Sequence, residues 1–151
     1  MWVYFTSRRT GRDEVWKVPA EGGEAVQVTR NGGATAFESP DSQSIYYTKG
    51  ENLTGLWKMP VSGGEESQVL PSVVMRAFFL IKDGIYFIPK PGTDRKSSIQ
   101  FLSFATGKLK IVAPISRRPF EGLSVSPNGR FILFSQFDEE SSDLMLVENF
   151  R

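Results

Sequence analysis

The feature that most constrains this chain is a run of short, strand-like segments that returns about every 40 residues. Val15, Leu56, Ile99 and Leu144 occupy one position of the repeat, at spacings of 41, 43 and 45 residues. A second register aligns Val3, Ile45, Ile85 and Ile132, and a third aligns Val28, Val69 and Val112. Gly22-Gly23, Gly63-Gly64 and Thr106-Gly107 fall on one turn of the repeat. The clearest copy is the stretch Glu38 to Leu70, and the other segments read as variants of it. No segment of helix length shows a 3.6-residue apolar period, so the units are built from strands. A unit this short cannot bury its apolar face alone and must stack on its neighbours.

These patterns predict an all-β fold: a β-propeller of four-stranded antiparallel blades, with about four repeat units in a single propeller-type domain. The units are expected at 1–33, 34–70, 71–114 and 115–151. Their strand-like runs number three, four, four and three. The first unit lacks its inner strand and the last its outer one, which makes the expected assembly a partial or half ring. Unpaired blade edges tend to associate. Two copies joined head to tail would complete a ring with two-fold symmetry. In that homodimer the acidic loop Asp138–Asp143 of one copy would approach Arg8–Arg12 of the other.

Two kinds of segment carry a family resemblance. Ser39-Pro40-Asp41 and Ser126-Pro127-Asn128 precede the second strand of their units, and VWKVPAEGGE and LWKMPVSGGE span the third strand and its turn. Together they resemble the TolB-type propeller repeat, a relative of the WD-repeat blades. The resemblance implies a scaffold with no fixed catalytic residues and a role in the periplasm or cell envelope. It extends to the C-terminal propeller portion of longer bacterial proteins. The chain departs from the family pattern at Ser42, where glycine is favoured, and in the third unit, where Leu80-Ile81-Lys82 precedes Asp83-Gly84. The strand pattern begins at Trp2 with no basic, apolar leader ahead of it, so no signal peptide is read. No apolar run reaches the roughly 18 residues of a membrane helix.

The chemistry of the side chains narrows function mainly by exclusion. There is no cysteine and no histidine. Disulfides, thiolate metal sites and every Ser-His or Cys-His nucleophile system are therefore absent. No catalytic residue, metal site or cofactor is assigned. Asp41, Asp83 and Asn128 read as turn residues that bond their own backbone, and Gly23, Gly64 and Gly129 as suppliers of positive φ. Trp16 and Trp57 share one repeat position and read as packing residues with locally bonded indoles. Tyr46, Tyr47, Tyr86 and Phe87 read as core. Asp138, Glu139, Glu140 and Asp143 read as a solvated acidic loop without the spacing of a calcium loop.

Net charge is only +1, but blade topology sorts the charges by face. The second-to-third-strand loops and the connections between units share one face. They carry Arg30, Lys49 and the candidate binding residues Arg8, Arg9, Arg12, Arg76, Arg95, Arg117 and Arg118. A basic face suits an acidic protein, or a ligand carboxylate or phosphate. Nucleic acid is not expected, because no aromatics interleave with these loops. The expected function is a non-enzymatic protein- or peptide-binding scaffold. The alternatives are the propeller portion of a peptidase-associated or carbohydrate-active hydrolase, and a truncated product without activity.

Overall fold

The computed structural model describes residues 1–50, 55–74, 76–93, 96–138 and 141–149, with only the backbone at 138 and 141–143. Within them lie fourteen strands. They are β1 (Trp2–Ser7), β2 (Glu14–Pro19), β3 (Val26–Gln27), β4 (Ala34–Glu38), β5 (Ser44–Thr48), β6 (Leu56–Pro60) and β7 (Ser67–Leu70). The second half holds β8 (Phe78–Ile81), β9 (Gly84–Phe87), β10 (Ser97–Ser103), β11 (Leu109–Ile115), β12 (Pro119–Val125), β13 (Phe131–Asp138) and β14 (Ser141–Glu148). The chain divides into two compact units, Met1–Pro71 and Ser72–Arg151. The first holds the sheets β1-β2-β3 and β4-β5-β6-β7, and the second holds β8-β9-β10-β11 and β12-β13-β14. All four are antiparallel meanders, so short turns suffice to join their strands.

Strand pairing tests the repeat registers independently of the sequence alignment. Val3 faces Val18, Ile45 faces Met59, Ile85 faces Leu102 and Ile132 faces Val147. Each facing residue lies three positions beyond Val15, Leu56, Ile99 or Leu144. Two registers read separately thus meet in one frame in every sheet. The third register marks a β-bulge. The Val15 carbonyl accepts from both Val28 and Thr29 N–H, at 2.8 and 3.3 Å. Leu56 pairs with Leu70 while Trp57 pairs with Gln68, which leaves Val69 as the extra residue. Val112 is left in the same way between the pairs Ile99–Ala113 and Gln100–Ile111. A bulge bends the outer strand and raises its local twist.

Each unit has its own core. Val15, Ile45, Tyr47 and Met59 form it in the first, with Tyr4, Val28 and Trp57 packed against them. In the second, Ile88, Ile99, Leu123, Ile132 and Phe134 are buried together, and Tyr86 and Val147 pack on them. The residues of the first two registers are fully buried where flanking strands cover them. Val3 and Leu144 are the exceptions, at 49% and 72% exposure. Both lie on terminal strands of three-stranded sheets, β1 and β14.

The two Ser-Pro turns share one hydrogen-bond plan. Ser39 Oγ donates to Asp41 Oδ1 at 2.5 Å and accepts from Ser44 N–H at 3.0 Å. Ser126 Oγ donates to Asn128 Oδ1 at 2.8 Å and accepts from Phe131 N–H at 3.0 Å. Asp41 and Asn128 each accept the backbone N–H two residues on, from Gln43 and Arg130. These residues are therefore consumed by the turns. Gly129 takes φ 65° in its turn, and Ser42 takes φ 56° at the matching position. A side chain in this region costs about 1–2 kcal/mol, which is the physical content of the departure from glycine at residue 42.

Candidate functional site

The loop from Arg8 to Asp13 joins β1 to β2 and brings Arg8, Arg9 and Arg12 together. Its positive charge is largely answered within the loop and at its exit. Arg8 makes a bidentate pair with Asp13, at 2.6 and 3.0 Å. Arg9 lies with its guanidinium 4.4 Å from the centre of the Trp16 ring and 5.5 Å from that of Phe5. Arg12 bonds Glu14 at 2.6 Å. The sorting of charges by face did not include Asp13 and Glu14, and these two acids tie up the loop.

Glu14 is the most constrained charged group described. It opens β2 with only 1% of its surface exposed. Thr29 Oγ1 donates to it at 2.6 Å, and Gly32 N–H reaches both its oxygens at 3.1 and 3.2 Å. Thr29 Oγ1 in turn accepts Val15 N–H at 2.8 Å. Burial pushes the Glu14 carboxyl up, but the bonds from Thr29, Arg12 and Gly32 together outweigh it and hold it below the ordinary value. A buried carboxylate with this many donors is a structural tie between the loop and the connection that follows β3.

A second network lies in the same unit. Lys49, expected on the basic face, is nearly buried and paired with Glu66. Its ammonium also lies 3.9 Å from the centre of the Trp57 ring. Tyr47 donates its hydroxyl to Glu66 at 2.5 Å. Burial raises the Tyr47 phenol, and the Glu66 carboxylate raises it further. Burial pushes Glu66 up as well, yet the bonds from Lys49 and Tyr47 bring it below the ordinary value. Lys49 therefore stands as a satisfied internal cation. One of the two indoles differs from expectation, because Trp16 Nε1 is buried with no hydrogen-bond partner among the described residues.

What remains open in this unit centres on Arg30. It follows β3 on the connection towards β4, is exposed, and makes no ion pair with the described residues. Two concavities meet at Arg30 and Gln27. One, of about 700 Å³, is lined also by Thr29, Asn31, Gly63 and Glu66. The other, of about 550 Å³, is lined by Thr10, Gly11, Arg12 and Glu14. A planar guanidinium between two polar hollows can take a carboxylate or phosphate in bidentate fashion.

In the second unit, Arg76 lies 3.9 Å from Glu121 and has φ 60° in the turn before β8. Arg118 packs 5.2 Å from the Phe137 ring centre, and its carbonyl accepts Phe137 N–H at 2.9 Å. Arg117 beside it is exposed. Arg95, Glu139 and Glu140 lie outside the described residues, as do the side chains of Asp138 and Asp143. No group of acidic residues that could hold a metal ion occurs among the described residues.

Comparison with solved structures assigns the architecture. TolB from Acinetobacter baumannii matches 99% of this chain with a TM-score of 0.76 and 16% identity. The chain has a TolB-like β-propeller fold. Putative TolB from Agrobacterium tumefaciens matches the same share with a TM-score of 0.75 and 14% identity. An oligogalacturonate lyase from Vibrio parahaemolyticus matches 99% of the chain with a TM-score of 0.66 and 16% identity. The TolB-like chain spans 38%, 58% and 47% of these three proteins, respectively. No protein-family model matches it, and no curated protein matches it in sequence. In the TolB-like frame, the first sheet lacks an inner strand and the last an outer one among the described residues.

Sequence reading alone did not single out Glu14 and Glu66. A signal for Glu14 was present: it stands next to the register residue Val15, where the other copies have Gly55, Ser98 and Asp143. Glu66 carries no comparable mark, since it sits in an ordinary Gly-Gly-Glu-Glu turn.

Proposed function

We propose that this chain is a non-enzymatic propeller scaffold that binds an acidic protein or peptide in the groove beside Arg30. The observation that carries this reading is the division of labour among the arginines. Arg8 and Arg12 are held by Asp13 and Glu14, whereas Arg30 is exposed between two hollows. Five carboxylates of the first unit are unsuited to act as general acids. Asp13, Glu14, Glu38, Asp41 and Glu66 are all held below their ordinary values by donors around them. A general acid needs the opposite shift. The reading places the protein in the bacterial cell envelope, on its TolB-like architecture.

A direct test is co-precipitation from a bacterial envelope extract with the wild-type chain and with Arg30→Glu. A partner retained by the wild type, lost in the variant and weakened by salt supports the proposal. A partner retained equally by both, or none at all, contradicts it. Arg8 and Arg12 are poor choices for this test, because reversing them breaks the pairs with Asp13 and Glu14.

The second reading is the propeller portion of an enzyme that acts on an acidic carbohydrate. The fold likeness to an oligogalacturonate lyase favours it, and so does the exposed Arg30 at the junction of the two hollows. Incubation with oligogalacturonate separates the two readings. Formation of an unsaturated uronate would establish the enzyme, and substrate that is neither bound nor changed favours the scaffold.

A further inference from the structure

The repeat supplies an internal control for one surface, the outer strand of a sheet. Aligned on Val28, Val69 and Val112, the strands β3, β7 and β11 can be compared position by position. Where the first two copies have Glu24 and Glu65, the third has Lys108. Gln27 and Gln68 give way to Ile111, Ala25 and Glu66 to Leu109, and Val26 and Ser67 to Lys110. The third copy is also the longest, at seven residues against four in β7 and two in β3. Short edge strands are a common protection against unwanted pairing. β11 is instead long, and its Leu109 and Ile111 are 57% and 67% exposed. It lies mid-chain between β10 and β12, and it ends its sheet, with no described strand paired to its outer side.

The turn before β11 fixes which of its backbone groups face outward. Ser103 N–H donates to the Lys108 carbonyl at 3.1 Å. Two residues further on, Lys110 pairs with Phe101. The bonding direction of the backbone alternates along an antiparallel strand. Lys108 and Lys110 therefore bond β10, and Leu109 and Ile111 present their N–H and C=O groups to the open side. The bulge at Val112, followed by Pro114 with no N–H to give, ends this free ladder.

Side chains alternate as well. Leu109 and Ile111 share one face of the strand, and Lys108 and Lys110 share the other. Both lysines are exposed, and neither makes an ion pair with a described residue. Their neighbours across the β10 pairing, Ser103 and Phe101, carry no charge. Val112 packs against the core of the second unit and anchors the strand just beyond the free ladder.

We propose that the outer edge of β11 is a strand-addition site for an extended acidic segment of a partner protein. In that segment, apolar residues opposite Leu109 and Ile111 alternate with glutamate or aspartate opposite Lys108 and Lys110. Strand addition uses main-chain bonds for affinity and side chains for selection. Because Leu109 and Ile111 carry the outward bonds, Lys110 falls in a non-hydrogen-bonded pair, where facing side chains come closest. An opposite charge there stabilises the pairing and a like charge opposes it. The same rule disfavours a second copy of this chain: pairing Leu109 of each copy with Ile111 of the other sets Lys110 against Lys110. The edge belongs to the second unit and Arg30 to the first, so either proposal can fail without the other.

The probe is the synthetic peptide Thr-Val-Glu-Val-Glu-Thr, capped at both ends. One control is N-methylated at both valines, which removes the donors for the Leu109 and Ile111 carbonyls. The other carries lysine in place of both glutamates. Titration into the 151-residue chain, followed by amide NMR, should move and protect the Leu109 and Ile111 amides. The Lys110 amide, already bonded to β10, should be protected with or without peptide. Lys110→Glu should weaken binding about fivefold, the size of a cross-strand charge pair, and Arg30→Glu should leave it unchanged. The proposal is overturned if the acidic peptide leaves Leu109 and Ile111 unmoved at millimolar concentration, or if either control binds equally. It is also overturned if Lys110→Glu binds the acidic peptide as well as the wild type does, or if Leu109 and Ile111 are already protected in the free protein.

Discussion

Gly84→Ala should destabilise the protein by about 3 kcal/mol, near the upper end of what overpacking costs. Gly84 is buried at the start of β9 and has no positive φ, so its need for glycine is spatial. A methyl group there would press on the Leu102 carbonyl oxygen and would meet two carbons of the Phe101 ring at 2.5 and 2.7 Å. Phe101 is not free to move aside, because its ring packs at a tilt against that of Tyr86, with centres 4.7 Å apart. The neighbouring strand must shift instead. Gly107→Ala is the matched comparison. Gly107 has φ 65° and nothing within 4 Å of an added methyl, so only the backbone term of about 1 kcal/mol applies. Urea unfolding of both variants gives the two values. Equal effects would show that the Gly84 contact is not tight.

Glu14→Ala should cost about 2–4 kcal/mol, because it strands the Gly32 N–H and removes a partner from Thr29 in a buried place. Glu14→Gln keeps the shape and an oxygen for Gly32 N–H but turns a donor towards the Arg12 guanidinium or the Thr29 hydroxyl, and should cost about half as much. The same network sets the pH dependence. Glu14 and Glu66 both titrate below the ordinary carboxylate value of 4.5 in the folded protein. A depressed folded pKa contributes stability that is fully present above the unfolded value and is lost as pH falls through the folded one. The urea midpoint should therefore hold steady from neutral pH to about pH 5 and fall at lower pH. In Glu14→Ala the wild-type advantage should shrink over that acidic range. An advantage that is the same at pH 3 and pH 7 would contradict the charged network.

The strands were legible because each register residue repeats in type as well as in spacing. Ile45, Ile85 and Ile132 are one residue doing one job, and pairing across the sheets places them alike. The Ser-Pro turns were legible for the same reason, since a turn is a local structure and its bonds span only a few residues. Two things were hidden. The role of Gly84 depends on Phe101, a residue of the next strand, and an Asp-Gly pair looks the same whether its glycine serves φ or packing. The candidate site was hidden more deeply. Counting charges by loop placed Arg8, Arg12 and Lys49 on an open basic face, but ion pairs with Asp13, Glu14 and Glu66 decide which cations are available. Pairing of that kind is a matter of side-chain reach, to which the spacing of a repeat is blind.

Four sheets share one frame, and no described strand pairs with the inner edge of β1. Amide exchange at one repeat position tests this most directly. Tyr4, Tyr46, Tyr86 and Leu133 are equivalent, each one residue past the second-strand register. The shared frame predicts slow exchange at Tyr46, Tyr86 and Leu133, whose backbones face a first strand, and fast exchange at Tyr4 in the monomeric protein. Protection of Tyr4 equal to that of the other three, in a protein shown to be monomeric, would contradict it.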